Sequence, residues 1–329
     1  MDERAAGSLT ILVPGAGGST GIDAIKRLRL TRPQARIVAT DRGALAAGFA
    51  LADAHFVTRH LSEPQAFADT LERLEREGVR LILPTCRSDS SAYAAQAGLL
   101  RSRGLLFVGS DAEIVELCDD KAALKARIGA AFPVAAEVSV GAEGPAAYPC
   151  FVKPRRGSGG QGAALCRSPA DWRAHIARFP EERIVEAYIP GREYSVDLFS
   201  DFKAAPLAAV VRVRIAAWEG VSTKIAVIQD PEIEAMALRL AAFLGLKGAS
   251  CLQFRRDWDG RLFVQEVNAR LGGSSIASAL AGVDMVELSV ALGLGEPLEI
   301  ALVRPITVLR YLTELMAPAQ VAGPAGTPS

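Results

Sequence analysis

The sequence predicts an α/β protein whose C-terminal part turns α+β. Three observations carry the prediction. Apolar strand-like runs alternate with helix-period segments over the first 110 residues; farther along, several strands follow one another closely with few helices between them; and two glycine-rich stretches lead into different elements. The first, in "ILVPGAGGSTGIDAIKRLR" (11–29), opens a helix, whereas the second, in "PCFVKPRRGSGGQGAALC" (149–166), joins strand to strand.

Strand-like runs stand at 9–14, 35–40, 79–84 and 105–109, with helical patterns at about 20–31, 64–77 and 89–102 between them. Strands separated by helices imply a parallel, doubly wound sheet. Two helical segments, 111–117 and 120–130, lead through "AAEVSV" to the second glycine loop and its two strands. The runs "RIVEAYI", "REYSVDLFS", "AAPLAAVVRVR" and "VSTKIAVIQ" lie too close together for crossover helices, so this part reads as largely antiparallel. A helix over 231–244 has Pro at its start and Gly after its end. The strands "ASCLQFRRD" and "RLFVQEVN" flank a turn at Asp259-Gly260, and a helical stretch covers 276–294. The tail from 317 to 329, rich in Ala, Pro and Gly, reads as disordered. No internal repeat is visible.

Composition narrows the function classes. The 329 residues are half hydrophobic and carry 37 basic and 37 acidic side chains. A neutral chain offers no general basic face for nucleic-acid phosphates, so no nucleic-acid partner is expected. Cys86, Cys118, Cys150, Cys166 and Cys251 are scattered without a CxxC pair, and His55, His60 and His175 are isolated, which disfavours a zinc centre or a histidine triad. The acidic, polar start "MDERAAGSLT" does not resemble a signal peptide, and no run approaches the ~18 apolar residues of a membrane span. A soluble cytoplasmic protein without a membrane partner is the expectation.

The opening glycine turn, with Asp41 at the end of the next apolar run, has the layout of a dinucleotide fingerprint with its ribose-binding acid. An NAD(P) oxidoreductase is therefore one candidate. The alternatives are a purely structural turn and a helix N-terminus offered to a substrate anion.

The second loop is more informative. Gly157, Gly159, Gly160 and Gly162 allow backbone N–H groups to approach an anion, Ser158 adds a hydroxyl, and Lys153 places a cation at the strand end. This is not a Walker motif, because no GK[ST] enters a helix; a glycine hairpin laid over phosphates fits better, and a surface hairpin without ligand is the alternative. Further on, Gln253 and Glu266 lie on adjacent strands and Asn268 stands two residues beyond Glu266, so three oxygen-bearing side chains share one sheet face. Such a set suits Mg²⁺. The alternative is a solvated strand face. Arg270, two residues on, is placed to hold a transferred phosphoryl group.

From Cys118 to about Gly295 these motifs, in this order, resemble the ATP-grasp superfamily, especially the synthetase domains of carbamoyl-phosphate synthetase and biotin carboxylase. "DDKAALK" looks like the family's entry helix, "FVKP" with the glycine loop like its phosphate clamp, "VEAYIPGREYSVD" like its adenine-and-ribose segment, and "LQF…QEVNAR" like its metal strands. The resemblance implies a Rossmann-like pre-ATP-grasp domain (1–115), a small lid with the glycine loop (116–190) and a C-terminal subdomain with the metal site (191–316). It implies ATP and Mg²⁺, with Mn²⁺ as a substitute, as cofactors. Lys121 and Lys153 would contact the phosphates, Glu186 the adenine amino group, the Ala187 and Ile189 backbone the base, and Glu193 the ribose. Gln253, Glu266 and Asn268 would bind the metal, although Gln253 stands where several relatives have a carboxylate, which puts a second ion in doubt. Arg270 would stabilise the transferring phosphoryl group.

The implied activity is an ADP-forming ligase that turns a small carboxylate into an acyl phosphate and joins it to a nucleophile, usually an amine. Such ligases are often homodimers. A nucleotide-binding regulatory protein without turnover is the third candidate. Arg212, Arg214 and Lys224 are candidates to face the substrate, the alternative being ordinary exposed strand charges, and Arg87 is a weaker hint of an acidic substrate.

Overall fold

The computed structural model describes residues 9–157, 159–218 and 221–316. Ser158 and the tail expected to be disordered, 317–329, lie outside the described residues.

The first sheet has five strands, all parallel: β1 (Thr10–Pro14), β2 (Arg36–Asp41), β3 (Ala54–Val57), β4 (Leu81–Ile82) and β5 (Leu106–Phe107), in the order β3-β2-β1-β4-β5. Every residue of the central β1 is buried, as expected of a parallel strand covered on both faces. Helices α1 (Ser19–Thr31), α2 (Pro64–Arg76), α3 (Arg87–Ala95) and α4 (Ala97–Ser102) connect these strands. The expected helix over 89–102 is thus two helices broken at Gln96. The edge strand β3 is not among the expected strands: it is only four residues long, and His55 interrupts its apolar run.

Helices α5 (Ala112–Asp119) and α6 (Lys121–Ile128) lead to a two-residue ribbon, β6 (Val140–Gly141) and β7 (Gly144–Pro145). Next comes a three-stranded antiparallel sheet of β8 (Cys150–Pro154), β9 (Ala164–Cys166) and β10 (Arg183–Ala187), with α7 (Pro169–Arg178) between β9 and β10. Alternation along β8 and β10 decides what each face does. Cys150, Val152 and Val185 pack with Cys166 and Trp172 into a small core, which leaves Phe151, Lys153 and Glu186 on the other face.

The third sheet has six strands, ordered β15-β14-β11-β12-β13-β16 and antiparallel throughout. They are β11 (Gly191–Ser200), β12 (Pro206–Trp218), β13 (Val221–Ile228), β14 (Gly248–Asp257), β15 (Leu262–Asn268) and β16 (Ile306–Leu309). Helix α8 (Pro231–Leu244) has the expected ends: Asp230 caps it by accepting from the Ile233 N–H, and Gly245 closes it in the left-handed conformation. Ile233, Ala237 and Leu240 of α8 join the core with Val196, Leu252 and Phe254 of the sheet. On the opposite face Phe199, Val210 and Val227 pack under α9 (Ile276–Leu280) and α10 (Met285–Leu294), which replace the continuous helix expected over 276–294. Gly282, at φ +117°, lies in the break. The chain then crosses back as β16, a β-branched run that the sequence reading passed over.

Helix α1 is fastened to the C-terminal part by arginine pairs: Arg310 with Asp23 at 3.0 Å, Arg27 with Asp284 at 2.8 Å, and Arg32 with Glu287 and Glu296. Among the described residues no helix is long and apolar enough to cross a membrane.

The opening glycine turn is built for close packing. A Cβ on Gly48 would lie 2.4 Å from the Ala16 carbonyl oxygen, and one on Gly21 would lie 2.5 Å from that of Gly15. Gly48→Ala is therefore expected to cost ~1–3 kcal/mol, because backbone rather than a flexible side chain must yield. Urea unfolding would show this as a lowered midpoint at unchanged slope.

Candidate functional site

The free face of the β8–β10 sheet and one end of the six-stranded sheet enclose a cavity of about 250 Å³. Its walls come from residues far apart in sequence, and local structure explains how each arrives there.

On one wall, Asp120 caps α6 by accepting from the Ala122 and Ala123 N–H groups, both at 3.1 Å. The same carboxylate holds Arg155 at 2.7 Å and Arg156 at 3.1 Å, so the base of the glycine loop is tied to the helix start. The Arg155 hydrogen bond, first among several favourable contacts, holds the Asp120 carboxyl well below the usual carboxylate range. Lys121 is thereby fixed at the mouth of the loop, where its Nζ donates to the Gly157 carbonyl at 2.9 Å. Burial lowers its pKa, while the nearby Glu266 charge acts in the opposite direction. Gly157, Gly159, Gly160 and Gly162 all have φ between +68° and +146°, a region closed to most side chains, which explains the residue type at each position. The first three line the cavity, whereas Gly162 only turns the chain back into β9.

The face of β8 and β10 brings Lys153 beside Glu186, Nζ to Oε2 at 3.0 Å. The Glu186 Oε1 accepts from Lys125 at 2.8 Å. Ala187 and Ile189 continue this wall, and Glu193 on β11 comes next, held by Arg255 at 3.2 Å.

The opposite wall is the pair β14–β15. Gln253 and Glu266 are register partners, brought together by a bulge at Gln265 that shifts the pairing by one residue. Asn268 donates through Nδ2 to Glu266 Oε1 at 3.3 Å, and Arg270 donates to Asn268 Oδ1 at 3.0 Å. Glu266 Oε2 has no hydrogen-bond partner among the described residues. These groups form an all-oxygen donor set with a single carboxylate, suited to a hard cation. Among the described residues there is no cluster of three His, Cys, Asp or Glu side chains that could hold a metal, so a cation here would depend on the Gln and Asn carbonyl oxygens beside Glu266.

Three candidates for substrate contact separate. Arg214 is exposed, lines the cavity and has no ion pair among the described residues. Arg212 shares its sheet face, yet lies deeper, 4% exposed, bound to Asp197 at 2.6 Å. Asp197 also accepts from Ser278 Oγ, so the structure places the Arg212 guanidinium in a buried ion pair and not on the cavity lining. Lys224 is exposed and alternates with Ile225 and Val227, which places it on the other face of the sheet and outside the cavity. Arg87 is likewise occupied, paired through two nitrogens with Asp119.

Asp41 closes the opening glycine turn. Its Oδ2 accepts from the Gly17 N–H and its Oδ1 from the Gly43 N–H, each at 2.8 Å, so the fingerprint acid closes the glycine turn on itself.

Two cations at or behind the cavity walls are absent from the sequence-based expectations. Lys125 stands one helical turn after Lys121, and Arg255 stands two residues after Gln253. Both spacings put them on the faces already singled out, so the signal was present.

Comparison with known proteins gives a consistent result. Residues 179–315 match the model of a family described as "ATP-grasp in the biosynthetic pathway with Ter operon". A D-alanine–D-alanine ligase of Granulibacter bethesdensis is 31% identical over 221 residues, which cover 58% of this chain and 71% of that protein. Among solved structures, N5-carboxyaminoimidazole ribonucleotide synthetase in its ADP complex superposes with a TM-score of 0.71 at 19% identity, over 92% of this chain and 81% of the other. Campylobacter jejuni biotin carboxylase, solved with a β,γ-ATP ligand, gives 0.69 at 17% identity, over 90% and 73%. The chain spans only 28% of the longer Rhizobium etli pyruvate carboxylase. At these identities the structural matches concern the fold, and they bear out the mixed α/β architecture expected from the sequence.

Proposed function

The chain belongs to the ATP-grasp superfamily of ATP-dependent ligases, and on that premise we propose that it converts a small carboxylate to an acyl phosphate and joins it to an amine, releasing ADP and phosphate. One observation carries this reading: a lysine-and-glycine wall faces a Glu266–Asn268–Arg270 wall across a single cavity. The same observation supports ATP as the nucleotide. The three-part division at 1–115, 116–190 and 191–316 belongs to this proposal as well.

In this reading the glycine loop amides, Lys121 and Lys153 hold the phosphates. Glu186, with the backbone from Ala187 to Ile189, takes the base, and Glu193 takes the ribose. Glu266, with the side-chain oxygens of Gln253 and Asn268, would hold Mg²⁺, which when bound neutralises phosphate charge. Arg270 stands where charge develops on the transferring group, and Arg214, which has no ion pair among the described residues, offers its guanidinium to the substrate carboxylate. A carboxylate oxygen attacks the γ-phosphorus and the bond to the β,γ-bridging oxygen breaks, leaving ADP. The amine then attacks the acyl carbon, phosphate departs, and the amine's proton passes to solvent. Positioning and charge neutralisation do this work, and the loop excludes water from the reactive acyl phosphate.

The test is phosphate release from Mg-ATP in the presence of pooled amino acids and small carboxylic acids. Release that depends on particular pools is expected. ATP binding without release from any pool would favour a protein that binds nucleotide without turnover, and no ATP binding would refute the reading.

A further inference from the structure

Lys125 has no part in the functional reading above, yet it makes one of the most enclosed ion pairs of the molecule. Its Nζ lies 2.8 Å from Glu186 Oε1, while Lys153 lies 3.0 Å from Oε2. Glu186 is 8% exposed. One carboxylate thus holds two ammonium groups, one per oxygen. Lys121 and Lys125 are successive turns of α6, so a single helix sends one lysine to the loop and the next to the carboxylate at the base end of the cavity. Lys125 itself does not line the cavity.

A carboxylate oxygen has two lone pairs, so each Glu186 oxygen keeps one acceptor site after binding its lysine. Clamped from both sides, the group cannot rotate, and it faces the cavity as an acceptor only. An amino group at position 6 of a purine can donate to it. An oxo group at that position would set acceptor against acceptor, a repulsive element of the kind that creates specificity. With Lys153 as its sole anchor, which also donates to the Gln265 carbonyl at 3.3 Å, Glu186 would be free to swing away from an unfavourable base.

We propose that Lys125 is a positioning residue that clamps Glu186 as a fixed acceptor and so sets the preference for a 6-amino over a 6-oxo purine nucleotide. This rests on the reading that the cavity binds ATP. The test is equilibrium binding of Mg-ATP and Mg-GTP to the full chain. The wild type is expected to prefer ATP. Lys125→Met should weaken ATP binding about tenfold, the scale of one lost charge-assisted hydrogen bond, and lower the ATP-to-GTP ratio by the same factor. Lys125→Arg should restore the ratio. General damage to the fold would weaken both nucleotides together and leave the ratio alone. Lys125→Gln, which keeps a donor without the charge, replaces the Met variant if that does not fold. An unchanged ratio in a folded variant that still binds ATP overturns the role of Lys125, whereas a wild type that binds neither nucleotide overturns the ATP reading itself.

Discussion

Glu266→Gln is expected to lower turnover by about 100-fold or more, because in the proposed reaction the several kcal/mol a bound cation supplies to phosphoryl transfer would depend on this carboxylate. Among Gln253, Glu266 and Asn268 it carries the only negative charge, and its Oε2 is unengaged among the described residues. The substitution keeps the size and one carbonyl oxygen. It removes the charge that draws a divalent cation, and also the acid that favours the charged form of Lys121 against the effect of burial. Folding should be unaffected, since among the described residues Glu266 accepts a single long side-chain hydrogen bond, from Asn268. Steady-state phosphate release with a magnesium titration is the measurement. A reduced rate and a higher magnesium requirement at an unchanged melting temperature are expected, and near-normal turnover would remove Glu266 from the metal set.

Asp197→Ala should be the most destabilising single change considered, at ~3–5 kcal/mol. Asp197 and Arg212 are buried together, 2.6 Å apart, with side-chain exposures of 1% and 5%. Arginine cannot shed its proton to escape burial, so losing the aspartate strands a charge beneath the sheet. Truncation also removes the acceptor for Ser278 Oγ, which ties α9 to the sheet. The double variant Asp197→Leu with Arg212→Met should recover most of the loss, because removing both charges together avoids the stranded cation. Denaturant unfolding of the three proteins measures this. A loss below about 1 kcal/mol for Asp197→Ala would mean that water reaches Arg212, and would restore it as a candidate substrate ligand.

The reach of each signal along the chain decided how much of the molecule was legible in its sequence. Gln253 comes opposite Glu266 only through a register shift that sequence does not show, whereas alternation along β15 is local and puts Glu266 and Asn268 on one face. The glycine hairpin was legible for the same reason: four glycines between two strands leave few other backbone choices. The position of Arg212 was not legible, because alternation gives the face of a strand but not the depth along it. Arg214, two residues on, reaches the cavity, while Arg212 falls under α9 against Asp197, a partner 15 residues away. Lys224 failed on parity, since β12 is irregular between Arg214 and Ala217 and the pairing across it cannot be counted from sequence. Asp41 stood at the spacing of a ribose-binding acid, and only three-dimensional contacts show both its oxygens turned onto the Gly17 and Gly43 amides. The close approach of Gly48 to Ala16 was likewise invisible, because it joins positions 32 residues apart.

The central claim is that an acyl phosphate forms in the cavity between Lys153 and Glu266. The most direct measurement uses substrate carboxylates labelled with oxygen-18 in the pool that supports phosphate release, with mass analysis of the phosphate produced. Attack by the carboxylate on the γ-phosphorus, then displacement at the acyl carbon, leaves one carboxylate oxygen on phosphate, so labelled phosphate is the predicted result. Unlabelled phosphate would show that water or another nucleophile takes the phosphoryl group, which contradicts the ligase account.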